Sequence, residues 1–151
     1  MKAIDEIIYE ALKVDEQLTA ATGGRVMSTC IEVPPTDADN TPLPYIIVTD
    51  DGFQNQDTTK DYLWEGVEDA VQASIEISAE SPKEVKRIAE LCRKAVTDYI
   101  LEMANHGEDI PYLANVSGNG VAWDWTKPCY YTTIKYNCTI NIDNYEQDDE
   151  K

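Results

Sequence analysis

Basic residues are few in this chain of 151 residues. Twelve lysines and arginines stand against 29 aspartates and glutamates, which gives a formal net charge of −17. Proteins that hold nucleic acid through its phosphates need clustered positive charge, because neutralised phosphates release their counterions. The charge balance therefore argues against binding nucleic acid in this way.

The residues that most often carry catalysis or metal binding are also scarce. The chain has a single histidine, His106, and the sequence places no nucleophile or carboxylate beside it. Its four cysteines, Cys30, Cys92, Cys129 and Cys138, lack the short paired spacing of zinc or redox motifs, which predicts buried free thiols. Glycine-rich phosphate loops and serine elbows are missing as well. We therefore expect no catalytic residue, no metal, no cofactor and no enzyme activity.

Long apolar runs are absent too. No stretch approaches the ~20 residues of a membrane span, so we expect no membrane contact. Residues Lys2 to Leu12 have the pattern of an amphipathic helix and not that of a cleavable signal. The length suits one domain, predicted over residues 1–143, and the acidic residues 144–151 predict a flexible tail.

The clearest pattern in the chain is an alternating strand that leads into a capped helix. From Asp69 to Ala79 every second residue is apolar, which is the period of a strand with one buried face. Ser81-Pro82-Lys83-Glu84 then predicts a helix start with Ser81 as the cap. An apolar stripe follows at spacings of three and four: Val85, Ile88, Ala89, Cys92, Ala95, Val96, Tyr99, Ile100 and Met103. We predict that this helix packs on the apolar strand face.

The regions before this strand divide into helices, a short strand and two loops. A first helix is predicted over Lys2–Val14, and Asp15 is expected to cap a short turn that Gly23 ends. The proline-rich residues 32–44 predict a loop. Tyr45–Thr49 is apolar on both faces, which indicates a covered central strand. The polar, turn-rich residues 50–65 predict a second loop.

The last third predicts a meander of three strands. Tyr112–Ser117 is followed by a tight turn at residues 118–120 and by Val121–Trp125, with Val121, Trp123 and Trp125 expected on one side. A third strand over Cys129–Asp143 would span more than about 40 Å, so we expect it to bend at a bulge or to project past the domain and be covered by another chain. The predicted fold class is α+β, a mixed or antiparallel sheet with two main helices packed on one face.

Candidate assembly contacts lie in the second loop and on the polar side of the last strand. Bulky residues in a polar loop suggest a partner contact, although Tyr62, Leu63 and Trp64 could equally begin the next strand and pack on the core. The candidate residues are Phe53, Tyr62, Trp64, Lys135, Asn137 and Thr139.

The order of short patterns resembles that of the phage tail-terminator, or tail-completion, proteins of long-tailed phages and prophages. The resemblance covers Ile4 to Met103. It rests on Ile8-Tyr9-Glu10-Ala11-Leu12, on the Leu18–Ala21 turn running into Gly23-Gly24-Arg25-Val26, on Leu43-Pro44-Tyr45-Ile46-Ile47-Val48, and on the strand Val71–Ser78 that enters Ser81-Pro82-Lys83-Glu84. The sequence departs from the family pattern at residues 50–65 and at Trp123 and Trp125.

The resemblance implies an α+β subunit that assembles as a ring, hexameric in the family, on the head-proximal end of a phage tail. The implied partners are the tail-tube protein and the head-completion or connector protein, and DNA would pass through the lumen without specific binding. The implied location is the virion, after synthesis in the bacterial host. The family has no catalytic residues to carry over.

Two other functions are compatible with parts of the sequence. An acidic inhibitor that mimics DNA and occupies a host nucleic-acid enzyme would explain the charge, but much of the acid lies in predicted loops and a tail and not in ordered rows. An enzyme that acts on a small ligand would need a catalytic constellation, and the sequence shows none.

Overall fold

The computed structural model describes residues 2–29, 42–56 and 68–141, and the structural statements below concern these residues. In chain order the elements are α1 (Ile4–Val14), α2 (Glu16–Thr22), β1 (Val26–Ser28), β2 (Tyr45–Gln56), β3 (Glu68–Ala79), α3 (Pro82–Asn105), β4 (Tyr112–Gly118), β5 (Ala122–Asp124) and β6 (Cys129–Asn141). Two predicted segments, most of the proline-rich loop and the acidic tail at 144–151, lie outside the described residues.

The six strands form one mixed sheet in the order β1-β2-β3-β6-β4, and β5 also pairs with β6. Strand β1 is parallel to β2, and every other pairing is antiparallel. The predicted α+β class is confirmed, because α1 and α3 both pack on one face of this sheet. The edges are formed by β1 on one side and by β4 and β5 on the other.

The prediction that the last strand projects past the domain is wrong. Strand β6 pairs with β3, without a bulge, from Asn141 opposite Glu68 to Tyr130 opposite Ala79. Strand β3 has 12 residues against the 13 of β6, so it matches β6 almost to its end, and β4 and β5 pair with parts of the other edge. The side chains nonetheless alternate between faces as the sequence predicts.

The predicted loop at residues 50–65 is wrong in its first half. Strand β2 continues through Gln56 and stays paired with β3, with a β-bulge between Asp50 and Gly52. The bulge explains why this segment has the composition of a turn: Gly52 has φ +88°, and its N–H donates to Asp50 Oδ1 at 2.8 Å. Residues 57–67, which include Tyr62 and Trp64, lie outside the described part.

The predicted meander also differs from the structure. Strands β4 and β5 do not pair with each other, since both pair with the same edge of β6, β4 at Ile134–Thr139 and β5 at Cys129–Tyr131. Together they form one interrupted edge strand, and residues 119–121 separate the two parts. The chain reverses only at the turn between Asp124 and Cys129. Trp125 therefore belongs to that turn and not to a strand face with Trp123.

The helices confirm their sequence predictions. The stripe of α3 is buried at Val85, Ile88, Cys92 and Val96, and the apolar face of α1 is buried at Ile7, Ile8 and Leu12. These two helices and the sheet face of Ala73, Ile75 and Ile77 enclose the main core. Ser81 Oγ accepts a hydrogen bond from Glu84 N at 3.2 Å, which caps α3 where the sequence places its start.

The cap of α2 gives a first test of the fold. Asp15 Oδ1 accepts from Leu18 N at 2.9 Å, and Gly23 ends the helix in the left-handed conformation. We expect Asp15→Ala to lower the free energy of unfolding by about 1 kcal/mol, because an amide of the first turn loses its acceptor. Urea unfolding measures it, with Glu16→Ala as the control that removes an acid without a cap. Equal effects of the two substitutions would contradict the capping role.

Candidate assembly surfaces

The sheet face opposite the helices carries three of the predicted contact residues. Lys135, Asn137 and Thr139 alternate along β6 with Ile134, Tyr136, Cys138 and Ile140, which are buried under the helices. We call this opposite side the outer face. Lys135 is exposed there, whereas Asn137 and Thr139 are half-buried by their neighbours on the sheet.

The outer face is almost uncharged in spite of the acidity of the chain. Its paired positions on β3, β6 and β4 are occupied mainly by serine, threonine, asparagine and glutamine, as at Ser74, Thr133 and Ser117. Among the described side chains of these three strands, Glu76 and Lys135 are the charged ones on this face. Partial burial, with a contribution from the Asp124 carboxylate, raises the pKa of Glu76. A flat polar surface of this kind suits packing against another subunit better than binding a charged partner.

Phe53 lies on the other face, at the end of the sheet where β3 begins and β6 ends. It is opposite Val71 on β3, and 71% of its surface is exposed. Beside it is a cavity of about 300 Å³, which we call the α1 cavity. It is lined by residues 2–5 at the start of α1, by Asp50, Gly52 and Phe53 of β2, and by Val71 and Ile140.

Hydrogen bonds hold the start of α1 in place beside this cavity. Glu10 Oε2 accepts from Lys2 Nζ at 2.8 Å and from Tyr99 Oη of α3 at 2.9 Å. The hydrogen bond from Lys2, helped by that from Tyr99, holds the pKa of Glu10 below its usual value. Burial, together with the bond to Glu10, raises the pKa of Tyr99. Lys2, which lines the cavity, is therefore held in place by the contact between α1 and α3.

An aromatic hairpin lies at the opposite end of the sheet, and the sequence did not predict it as a contact. Trp125, in the turn between β5 and β6, is 89% exposed, the most exposed of the large apolar side chains that the structure describes. Its ring meets that of Trp123 edge-on at 6.2 Å, and Trp123 meets Tyr130 edge-on at 4.8 Å. The sequence predicted Trp123 and Trp125 on one side of a strand. In the structure their two rings do meet, but the strand ends at Asp124 and Trp125 lies in the turn that follows.

The turn that carries Trp125 is held by Asp124 and Lys127. Asp124 Oδ1 accepts from Thr126 Oγ1 at 2.7 Å and from Thr126 N at 2.9 Å, and these bonds hold the pKa of Asp124 low. Lys127 Nζ lies 4.2 Å from the ring centroid of Tyr45, the first residue of β2. The exposed indole thus projects from a hairpin that is fixed to the sheet.

The edge strand β4 presents a further exposed surface. Its side chains are exposed at nearly every position, including Tyr112 at 73% and Leu113 at 38%. An edge strand with free backbone groups is a template for pairing with another chain. β4 is therefore one edge of the sheet at which another strand could be added.

The groups that could carry chemistry do not converge in the described residues. His106, at the end of α3, lies 3.8 Å from Glu102, and both side chains are exposed. No group of three or more histidine, cysteine or acidic side chains in 2–29, 42–56 and 68–141 is placed to bind a metal. None of the described helices is long and apolar enough to cross a membrane.

Three thiols are buried, as the sequence predicts, and they give a second test. Cys92, Cys129 and Cys138 are each about 1% exposed or less, and burial raises the pKa of each thiol, that of Cys138 to about 11. Because the thiolate is the reactive form, we expect all three to resist alkylation at pH 7.5. The Cys30→Ser variant contains only these three cysteines. Mass spectrometry should find no alkylated cysteine in the folded variant and three in the unfolded variant. Rapid native labelling of Cys92 would contradict the packing of α3.

The structure brings together only part of the predicted contact set. Lys135, Asn137 and Thr139 share the outer face, Phe53 lies on the helix side at one sheet end, and Tyr62 and Trp64 are outside the described residues. The sequence missed Trp125 and the α1 cavity. The cavity joins residues that are more than a hundred positions apart, so no local pattern could reveal it.

No protein-family model and no curated protein matches the chain. Among solved structures, the fold is similar to that of a chain in the virion of the native gene transfer agent (GTA) particle. The TM-score is 0.50 at 15% sequence identity, and the match covers 92% of this chain and 95% of that one. At this identity the likeness shows a shared fold, which extends over nearly the whole length of both chains.

Proposed function

We propose that the chain is a structural virion protein that caps the head-proximal end of a phage tail tube as a hexameric ring and joins it to the head-completion or connector protein. The observation that carries this proposal is the fold shared with a virion chain over 92% of the length. The tail-terminator role itself comes from the resemblance of the ordered sequence patterns between Ile4 and Met103. The exposed aromatic and apolar side chains at both sheet ends support an assembly role.

The charge of the chain supports the same function. DNA that enters or leaves a particle would pass through the lumen of such a ring. A ring built from subunits of net charge −17 would not hold the phosphates, because binding by counterion release needs positive groups. The acidity therefore has a physical role in letting DNA pass.

The distribution of charge argues against the DNA-mimic alternative. A mimic would need acids in rows along a rigid element, and the longest rigid element is α3. Its exposed side alternates in sign instead, with Lys83, Lys86, Arg87, Arg93 and Lys94 set among Glu84, Glu90, Asp98 and Glu102. No described helix thus presents the continuous negative surface of a nucleic-acid duplex.

Completion of tails in vitro tests the proposal. Tail tubes assembled without this protein should extend to irregular lengths and fail to join filled heads. Adding the purified chain should stop growth and restore joining, as counted by electron microscopy. A stoichiometric block of a host nuclease together with no effect on tails would overturn the proposal in favour of the inhibitor.

A further inference from the structure

The described molecule has a protruding aromatic side chain at one end of its sheet and an apolar cavity at the other. Trp125 lies next to Trp123, which pairs with Tyr130 near the start of β6, and the α1 cavity is lined by Val71 and by Ile140 near the end of β6. Tyr130 and Ile140 are ten residues apart along β6, which separates the two features by about 33 Å. A subunit therefore cannot fill its own cavity with its own Trp125.

We propose that Trp125 of one copy inserts into the α1 cavity of the next copy, so that subunits join head to tail. The inference rests on the proposed ring and names its contact. A contact between two different patches of the same chain is heterologous, and it closes into a ring when the rotation between copies permits. Each copy of a closed ring then buries one indole and fills one cavity.

The cavity has the chemistry that an indole needs. Its wall is apolar at Ile4, Val71 and Ile140, and Phe53 stands at its mouth with most of its ring exposed. An indole also has one N–H that must find an acceptor once buried. Asp5 and Asp50 are among the residues that line the cavity, and Asp50 Oδ1 already accepts from Gly52 N, so the acceptors available for the indole are the Asp5 carboxylate and Asp50 Oδ2. The volume, about 300 Å³, is at the lower limit of pockets that hold small ligands, about 300 Å³ to 1,000 Å³.

The charge at the two sheet ends favours this occupant over a two-fold pairing of cavities. The cavity end is strongly acidic, because its one described lysine, Lys2, is paired with Glu10 and the acids Asp5, Glu6, Asp50, Asp51 and Asp69 lie around it. The hairpin end is less acidic, with Lys83 and Lys127 set against Glu76, Glu80 and Asp124. A two-fold contact would oppose two strongly acidic ends, whereas a head-to-tail contact opposes one such end with a less acidic one.

The hairpin is prepared for this contact in the free subunit. The hydrogen bonds of Asp124 and the Lys127–Tyr45 contact fix the turn before binding. Little conformational freedom is then lost when the indole is buried, which is the condition under which an aromatic anchor contributes most to affinity.

The test uses two variants that each remove one half of the contact. Trp125→Ala keeps the cavity and loses the indole, and Ala3→Phe fills the cavity and keeps the indole. Each should raise the concentration needed for rings at least tenfold, while Leu101→Ala, which removes another exposed apolar side chain, should not. Because Trp125 and Ala3 are exposed, both variants should melt within a few degrees of the parent.

Mixing the variants distinguishes head-to-tail joining from other geometries. In an equimolar mixture, Ala3→Phe supplies the indole and Trp125→Ala supplies the open cavity. The mixture should therefore give a one-to-one heterodimer in native mass spectrometry and no ring. Full rings from Trp125→Ala alone, or from the mixture, at the concentration at which the parent forms rings would overturn the inference and leave the proposed function standing. A parent chain that forms no ring with or without tail tubes would overturn both.

Discussion

Ile88→Asp should abolish the native fold or come close to doing so. Ile88 is 1% exposed and belongs to the buried stripe of α3 that packs on the sheet. The substitution loses about 2–5 kcal/mol of packing and also buries a carboxylate without a partner. Domains of this size are stable by only about 5–15 kcal/mol, so most of the stability should be lost. Urea unfolding followed by circular dichroism measures it.

Thr97→Asp is the matched control, because it introduces the same side chain on an exposed position of α3. Threonine and aspartate have similar helix propensities, so the change in unfolding free energy should stay within about 0.5 kcal/mol. If Ile88→Asp melted within a degree or two of the parent, the assignment of the buried helix face would be wrong.

Raising the salt concentration should strengthen ring assembly by orders of magnitude. Two subunits of charge −17 with centres about 40 Å apart would repel by roughly 30 kcal/mol in unscreened water. At ~0.01 M salt the Debye length is ~30 Å, and screening leaves about a quarter of this repulsion energy. At ~0.15 M the Debye length is ~8 Å, and under a hundredth of the repulsion energy remains. The apolar contacts at the sheet ends can outweigh the repulsion only in the second case.

Sedimentation velocity at both salt concentrations checks this expectation. A discrete ring species should grow from near zero at low salt to a major fraction at 0.15 M. The Ala3→Phe variant controls for non-specific association and should stay monomeric at both. Rings that weaken as salt is added would show that attraction between opposite charges, and not apolar contact, holds the subunits together.

The elements with a clear period or cap were predictable from sequence. The alternation in β3 and β6, the stripe of α3 and the Ser81 cap are local patterns, and each appears in the structure where the sequence places it. The packing of the α3 stripe against the apolar face of β3 was also predictable, because only two residues join the strand to the helix.

The pairing of distant strands was not predictable in the same way. Asp50, Asp51 and Gly52 have the composition of a turn, yet β2 continues through them because β3 pairs with it on both sides of the bulge. Likewise, a glycine-rich break at residues 118–120 normally indicates a hairpin, but β6 is long enough to pair with both β4 and β5 on one edge. In each case a tertiary partner overrides the local signal.

The candidate surfaces also divide into those that a local sequence pattern predicts and those that it does not. The alternation of polar and apolar residues predicted which β6 side chains lie on the outer face. The exposure of Phe53 was predicted because a bulky residue stands in a polar segment. Trp125 was assigned to a strand face because it alternates with Trp123, whereas the Asp124 hydrogen bonds begin the turn before it. Sequence periodicity cannot show where a hydrogen bond between a side chain and the backbone ends a strand.

Native mass spectrometry of the chain with and without its tail-tube protein tests the central claim most directly. At 0.15 M salt the chain should form closed rings of six subunits, and tail tubes should shift the population toward one ring per tube end. The same rings should be absent for the Ala3→Phe variant. A strict monomer under every condition, with tubes present and at high salt, would contradict the account.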